Sequence, residues 1–198
     1  MVEACCPRLG SDCADVGRRR PWRKRAALDG AGRGRSGVAR SVGAMSSLPD
    51  PELVFAFEAR VDTGEMITAE RAPSDTLMLF PITGGTVTGR LNGKVLAQGG
   101  DWATWRGGDT IELEARYLIE TDDGAVIEIL NRGFHVASPE VNARLDSGED
   151  VPETEYYYRT SPIIRTNAPQ HEWLSRTVFI GMARSERGQV CIRFFELL

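Results

Sequence analysis

The chain has 198 residues, 41% of them hydrophobic, which suffices for one domain with an apolar core. Its net charge of −4 joins two unlike pieces: residues 1–44 carry ten Lys and Arg against four acids, and the remainder carries 14 bases against 24 acids. An acidic body disfavours nucleic acid, whose binding draws on phosphate neutralisation, and the chain has no apolar run long enough for a membrane-spanning helix.

Residues 1–44 are dominated by Arg, Gly, Ala, Ser and Val with no sustained apolar period, a composition that cannot repay the entropy of ordering. Three readings fit: a disordered basic tail, an Arg-rich targeting peptide, or upstream sequence read in frame ahead of a start at Met45. The last is the expected one, because Met45 stands just before the first strand pattern. No apolar stretch follows the basic cluster, as a secretory signal would require. Cys5, Cys6 and Cys13 all fall in this segment, leaving Cys191 alone in residues 45–198. A lone cysteine makes no internal disulfide in the body, so a reducing, cytoplasmic setting is expected.

Leu53 to Val61 alternates, with Leu53, Phe55, Phe57, Ala59 and Val61 on one face, and predicts a strand ended by Asp62-Thr63-Gly64. Thr76 to Thr83 predicts a second strand, with Pro81 marking an edge or a bulge. Gly84-Gly85 bends the chain. Thr86–Gly89 and Gly93–Ala97 flank an Asn92-Gly93 hairpin turn. Ile111 to Ile119 places Ile111, Leu113, Ala115, Tyr117 and Ile119 on one side and Glu112, Glu114 and Arg116 on the other. Asp123-Gly124 turns it into a partner strand from Ala125 to Leu130. Ser138-Pro139 opens a short helix to Leu145. Glu155–Thr160 is a tyrosine-rich strand, and Glu172–Ser175 is one helical turn. Thr177–Ala183 and Gln189–Leu197 form the last hairpin.

About nine strands and one or two short helices predict an all-β, mainly antiparallel domain over residues 45–198. A barrel of lipocalin-like general architecture is favoured over a sandwich, since Gly84-Gly85 and Gly99-Gly100 supply the bends that closure needs. A closed barrel hides its edges and leaves an interior that can hold a small ligand.

Several spaced blocks carry a family resemblance. They are Thr83-Gly84-Gly85-Thr86, Gly99-Gly100-Asp101-Trp102, Ala115-Arg116-Tyr117, Thr121 to Ala125, Gly133, Tyr158-Arg159-Thr160 and Trp173-Leu174. Through them the chain, from about residue 52 to its C-terminus, resembles domain-of-unknown-function family 3237, also called uncharacterised protein family 0311. The resemblance implies a compact β-barrel-like domain and no settled activity. Where the family commonly has Phe-Glu-Thr, this chain has Ile164-Arg165-Thr166, an exchange that inverts the local charge.

Candidate chemistry gathers at the same blocks. Asp101 is a candidate general acid or base with Trp102 as an apolar wall; the plain alternative is a turn-closing Asp and a core Trp. Arg116 either clamps a ligand anion or pairs with Glu112 or Glu114 on the strand face. Asp122 is a candidate carboxylate at a hairpin tip, whereas the turn explains Asp123. Tyr158 and Arg159 are candidate substrate contacts on opposite faces of one strand, and Trp173 a pocket wall, with core and rim packing as the alternative. His135, His171 and Cys191 match no metal spacing. There is no phosphate loop, dinucleotide fingerprint or nucleophile elbow, so no cofactor is expected.

Three readings follow, the third being a structural or interaction module with a filled barrel and no cavity. The first is a cofactor-free enzyme doing proton transfer on a carbonyl-bearing or aromatic metabolite (isomerisation, cyclisation or lactone turnover), with Asp101 or Asp122 moving the proton and Arg116 and Arg159 holding the anion. The second is a non-catalytic barrel that binds a hydrophobic or aromatic ligand. The expected partner is a small molecule rather than nucleic acid or membrane, and a homo-oligomer is compatible with the sequence.

Overall fold

The computed structural model describes residues 49–186 and 188–198, so the expectation for residues 1–44 lies outside the described residues. Ten strands and two short helices follow one another: β1 (Leu53–Thr63), β2 (Ile67–Ala72), β3 (Asp75–Gly89), β4 (Gly93–Val95), β5 (Gly99–Trp105), β6 (Thr110–Thr121), β7 (Val126–Val136), α1 (Pro139–Asp146), β8 (Tyr157–Arg165), a 3-10 helix (Pro169–Ser175), β9 (Phe179–Glu186) and β10 (Gln189–Leu197). All pairings are antiparallel.

The sheet closes because β1 pairs with β10 on one side and with β3 on the other. Two positions around the ring are interrupted strands. β1 and β2 run in line along the same side of β3, and β4 and β5 run in line along its other side. The result is an eight-stranded antiparallel barrel. The break in the first interrupted strand falls beside Pro81, whose missing N–H needs no partner there. Its carbonyl accepts from the Gly64 N–H at 2.8 Å. Residues 76–89 therefore form one continuous strand rather than the two predicted. β2 and β5 were not foreseen: neither Ile67–Ala72 nor Gly99–Trp105 has an alternation clean enough to read as a strand.

Alternation decides what points inward. On β6, Tyr117 and Ile119 are buried, while Glu112, Glu114 and Arg116 face out. The same rule sends Arg60, Arg132, Arg159, Arg165 and Arg193 to the outer wall, and pairs form there between Arg60 and Glu186, Arg132 and Glu114, and Arg165 and Glu128. The charge-inverting residue of the Ile164-Arg165-Thr166 departure thus lies on the outer wall, where Arg165 meets Glu128 across the register, while Ile164 points inward and is buried.

The two ends of the barrel differ. At one end Phe57 packs on Phe194 with ring centroids 4.8 Å apart, and Phe179 stands edge-on to Phe57 and Trp173. The 3-10 helix plugs this end with Leu174, which is fully buried. Each such large apolar side chain contributes about 1.5–3 kcal/mol by leaving water. At the other end lie α1 and the β9–β10 turn. Ser138 caps α1 by accepting from the Val141 N–H at 3.3 Å, as its Ser-Pro start predicts. This second end is hollow.

One close approach shapes the hollow half. Thr160 sits in register between Gly133 and Gly181. A Cβ on Gly133 would lie 2.1 Å from the Arg159 carbonyl oxygen, and one on Gly181 would lie 2.1 Å from Thr160 Oγ1. The two glycines let β7, β8 and β9 coil tightly around Thr160, with its hydroxyl buried in the wall.

Candidate active site in the barrel interior

The hollow half contains a chamber of about 610 Å³. Its walls are mostly apolar, with Met66, Met78, Phe80, Ile111, Leu113 and Leu145 among them. At its floor lies a smaller void of about 30 Å³ that shares Thr63, Asp101, Leu113, Tyr158 and Val190 with the chamber. Tyr117, Asn131 and Thr160 complete the polar part of the floor.

These polar groups are the informative feature. Asp101 Oδ1, the Tyr117 hydroxyl, Asn131 Oδ1 and Thr160 Oγ1 are sealed from solvent without a hydrogen-bond partner in the structure. His135 Nδ1, on the chamber wall, and the Tyr156 hydroxyl share that state. A buried polar atom left unpaired costs about 1–3 kcal/mol, and native proteins rarely gather several. A cluster around one void is the signature of a site whose partners arrive with a ligand or with ordered water. A void of this size has room for one water-sized group.

Strand register brings the cluster together. Asp101 on β5 pairs with Phe80 and with Ala115, Ala115 pairs with Asn131, and His135 pairs with Tyr158. The polar residues occupy inward positions on four strands: Asp101 on β5, Tyr117 on β6, Asn131 and His135 on β7, and Tyr158 and Thr160 on β8. Burial pushes the Asp101 carboxyl up to about 6, against a backbone hydrogen bond from Glu114 that holds it down. Although Asp101 as a residue is partly accessible, Oδ1 itself is sealed, and desolvation follows the atom. Burial and the nearby Asp101 charge push the Tyr117 and Tyr158 phenols far above their ordinary value, so both stay protonated. Burial lowers His135 and favours its neutral form.

The predicted site residues divide into three groups. Asp101 and Tyr158 meet in the interior. Trp102, Arg116 and Arg159 do not, and the expected convergence of Asp101, Arg116, Asp122 and Arg159 is corrected. Trp102 and Arg116 lie exposed along an open groove of about 880 Å³ on the outer wall. Among the described residues Arg116 makes no ion pair; Glu112 and Glu114 pair instead with Arg106 and Arg132. Arg159 lies 5.3 Å over the Tyr157 ring, also outside. The physical reason is the period of two: Gly100, Trp102 and Arg116 share the outward parity, whereas Asp101 and Tyr117 share the inward one. The outer groove is the larger concavity, but the sealed and unpartnered polar atoms belong to the interior.

Asp122 and Trp173 lie at the plugged end. Asp122 is exposed in the β6–β7 turn. Asp123 beside it accepts from Thr121 and Gln170 and bonds His171 Nε2 at 3.0 Å, which ties that turn to the 3-10 helix. These hydrogen bonds hold the Asp123 carboxyl well below its ordinary range. Trp173 packs against the core with the Arg90 guanidinium 3.8 Å over its ring. Tyr117, Asn131, Thr160 and His135 were missed as site residues. Their one signal was a polar group at an otherwise apolar inward position.

No group of three or more metal-binding side chains occurs among the described residues, and none of their helices is long and apolar enough to cross a membrane.

Comparison with known proteins identifies the family. The family described as Protein of unknown function (DUF3237) matches residues 51–197. A UPF0311 protein of Bradyrhizobium diazoefficiens is 34% identical over 154 residues, 78% of this chain and all of that protein. The crystal structure of a conserved protein of unknown function from Rhodopseudomonas palustris superposes with a TM-score of 0.71 at 33% identity, covering 77% of this chain and all of that one. A more distant relative is an enzyme: the hydroalkoxylation enzyme phnH of Penicillium herquei is 37% identical over 93 residues, 46% of this chain and 61% of its own length. The chain belongs to the DUF3237 family, alternatively called UPF0311.

Proposed function

We propose that this protein is a cofactor-independent enzyme that moves a proton on a small carbonyl-bearing or aromatic molecule held in the barrel interior. The observation that supports it is the set of sealed, unpartnered polar atoms around Asp101, with the carboxyl raised to about 6. A general base works best near the operating pH, and burial has moved Asp101 toward it. The Tyr117 and Tyr158 phenols are held protonated beside it and supply donors for a developing oxyanion. Ketosteroid isomerases likewise pair a carboxylate base with a tyrosine donor for enolisation, their second donor being a protonated aspartic acid.

The step balances without an external reagent. The Asp101 carboxylate takes a proton from a carbon or hydroxyl conjugated with the carbonyl. The electron pair moves onto the carbonyl oxygen, which accepts from a tyrosine hydroxyl. The proton then returns from Asp101 to another atom of the same molecule. In isomerisation that atom is a carbon; in cyclisation the proton comes from an internal hydroxyl whose oxygen bonds to the far carbon of an alkene conjugated with the carbonyl, the alkene π pair shifts onto the carbonyl oxygen, and the proton returns to the carbon next to the new C–O bond. That a distant relative is named for hydroalkoxylation, the addition of a hydroxyl across a carbon–carbon multiple bond, agrees with the cyclisation form.

Turnover of a panel of carbonyl-bearing and phenolic metabolites by wild type, Asp101→Asn and Arg116→Ala tests the reading. Asp101→Asn is expected to lose about 10²–10⁴-fold in rate, the range for a general base, with Arg116→Ala unchanged. Turnover that survives intact in Asp101→Asn rejects it.

A further inference from the structure

Charge is distributed one-sidedly across this barrel. Strand parity places the arginines of β1 and β6–β10 on the outer wall, and no Lys or Arg lines either the chamber or its floor among the described residues. The ionisable groups that line this space are Asp101 at the floor, His135 on the wall, Tyr117 and Tyr158 beside Asp101, Asp146 at the mouth, and at the rim Glu186, which lies with the outer-wall arginines. Glu186 is neutralised from outside by Arg60 at 3.1 Å and Arg184 at 2.7 Å. Asp146, at the end of α1, makes no ion pair among the described residues, and burial pushes its carboxyl up as it does Asp101. His135 is favoured neutral by burial and offers no compensating charge.

An anion entering this space gives up its hydration and meets no Lys or Arg among the described residues. Near neutral pH it meets the Asp101 and Asp146 carboxylates instead. The floor adds a size limit. Its void of about 30 Å³ matches one hydroxyl or carbonyl oxygen, and a carboxylate or phosphate group exceeds it. The orphaned atoms suit such a head group in both directions: Asp101 Oδ1 accepts from a hydroxyl, while Tyr117 and Thr160 donate to an oxygen. Above the floor, the Met, Phe, Ile and Leu walls accept an apolar body.

We propose that the interior selects an uncharged molecule with an apolar body and one hydroxyl or carbonyl head that enters first, and that it excludes carboxylates and phosphates. This rests on the interior being the binding site. It replaces the anion clamp expected from Arg116 and Arg159 with selection by the absence of a counter-charge.

Three probes that share a ring system separate the alternatives: 2-naphthol, 2-naphthoate and 2-naphthylmethylammonium, titrated calorimetrically into the whole protein at pH 7.5. The expected result is 2-naphthol binding at least about tenfold more tightly than 2-naphthoate. The gap should narrow severalfold in Asp146→Asn, whose position at the mouth lies off the catalytic floor. Trp102→Ala should bind all three as wild type does, because that ring lies on the outer wall. Equal or tighter binding of 2-naphthoate overturns the charge selection while leaving the interior as the site. Tightest binding of the ammonium probe overturns the preference for an uncharged ligand. Binding that vanishes in Trp102→Ala, or no binding of any probe at millimolar concentration, overturns the interior site and the proposal together. Loss of turnover in Asp101→Asn is read separately, so the catalytic and selective claims can fail independently.

Discussion

Replacing Asp101 by Asn should stabilise the protein while it disables the site, and the size of the effect follows from the geometry. The carboxyl rises from an ordinary 3.8 to about 6 because Oδ1 is sealed without a partner. In the folded chain it therefore holds its proton more tightly than in the unfolded one. Between pH 3.8 and 6 the native state binds more protons, so stability falls as pH rises through that window. Above it the full cost applies. At about 1.36 kcal/mol per tenfold change in proton affinity, the shift is worth about 3 kcal/mol. Asn at this position carries no charge at any pH. The difference in unfolding free energy between Asp101→Asn and wild type should therefore be small at pH 4 and grow to about 3 kcal/mol in favour of the variant at pH 8. Other ionisable groups titrate alike in both proteins and cancel in the difference. For a domain of this size the gain corresponds to about 6–12 °C in Tm at pH 8. Urea unfolding of both proteins at pH 4, 6 and 8 measures it. A difference that does not change with pH would show that Asp101 is solvated in the native state and would refute the reasoning.

Four further outcomes are expected. Tyr117→Phe removes a buried hydroxyl that has no partner, so its stability should be unchanged or higher by about 1–2 kcal/mol in denaturant unfolding, while turnover falls. Leu113→Trp fills the junction of chamber and floor; it should abolish probe binding and cost about 1–3 kcal/mol by overpacking, with circular dichroism confirming a retained fold. Arg116→Ala, on the exposed outer wall, should stay within about 0.5 kcal/mol of wild type in stability. His171→Ala breaks the tie between the 3-10 helix and the β6–β7 turn; it should lower Tm and leave probe affinity in the interior unaltered, whereas an altered affinity would mean that the plugged end communicates with the chamber.

The local sequence determined most of the barrel. Alternation from Ile111 to Ile119 assigned the inward and outward faces of β6 correctly, because a strand's side-chain period is a property of its backbone alone. Asn92-Gly93 and Asp123-Gly124 marked two turns, and Ser138-Pro139 marked the start of α1, each through backbone preferences carried by those residues. Asp101 and Tyr158 were legible as candidates, and both line the interior void, because a carboxylate and a phenol near glycine bends and strand ends stand out.

The tertiary structure decided which candidates meet. Asp101 and Trp102 are neighbours in sequence, yet one faces the cavity and the other the solvent, since one residue along a strand reverses the direction of the side chain. Arg116 and Tyr117 divide in the same way. Tyr117, Asn131 and Thr160 come from the paired strands β6, β7 and β8, and the closure of β1 on β3 and β10 brings Val61, Ile82, Val190 and Ile192 round the same void. Whether the interior would be filled or hollow was likewise a matter of packing. Phe57, Phe179, Phe194 and Leu174 fill one end, and the other keeps a chamber whose floor is polar and whose wall, among the described residues, carries no cation. Periodicity is local and can be read along the chain, whereas a site is a set of long-range registers that exists only once the barrel has closed.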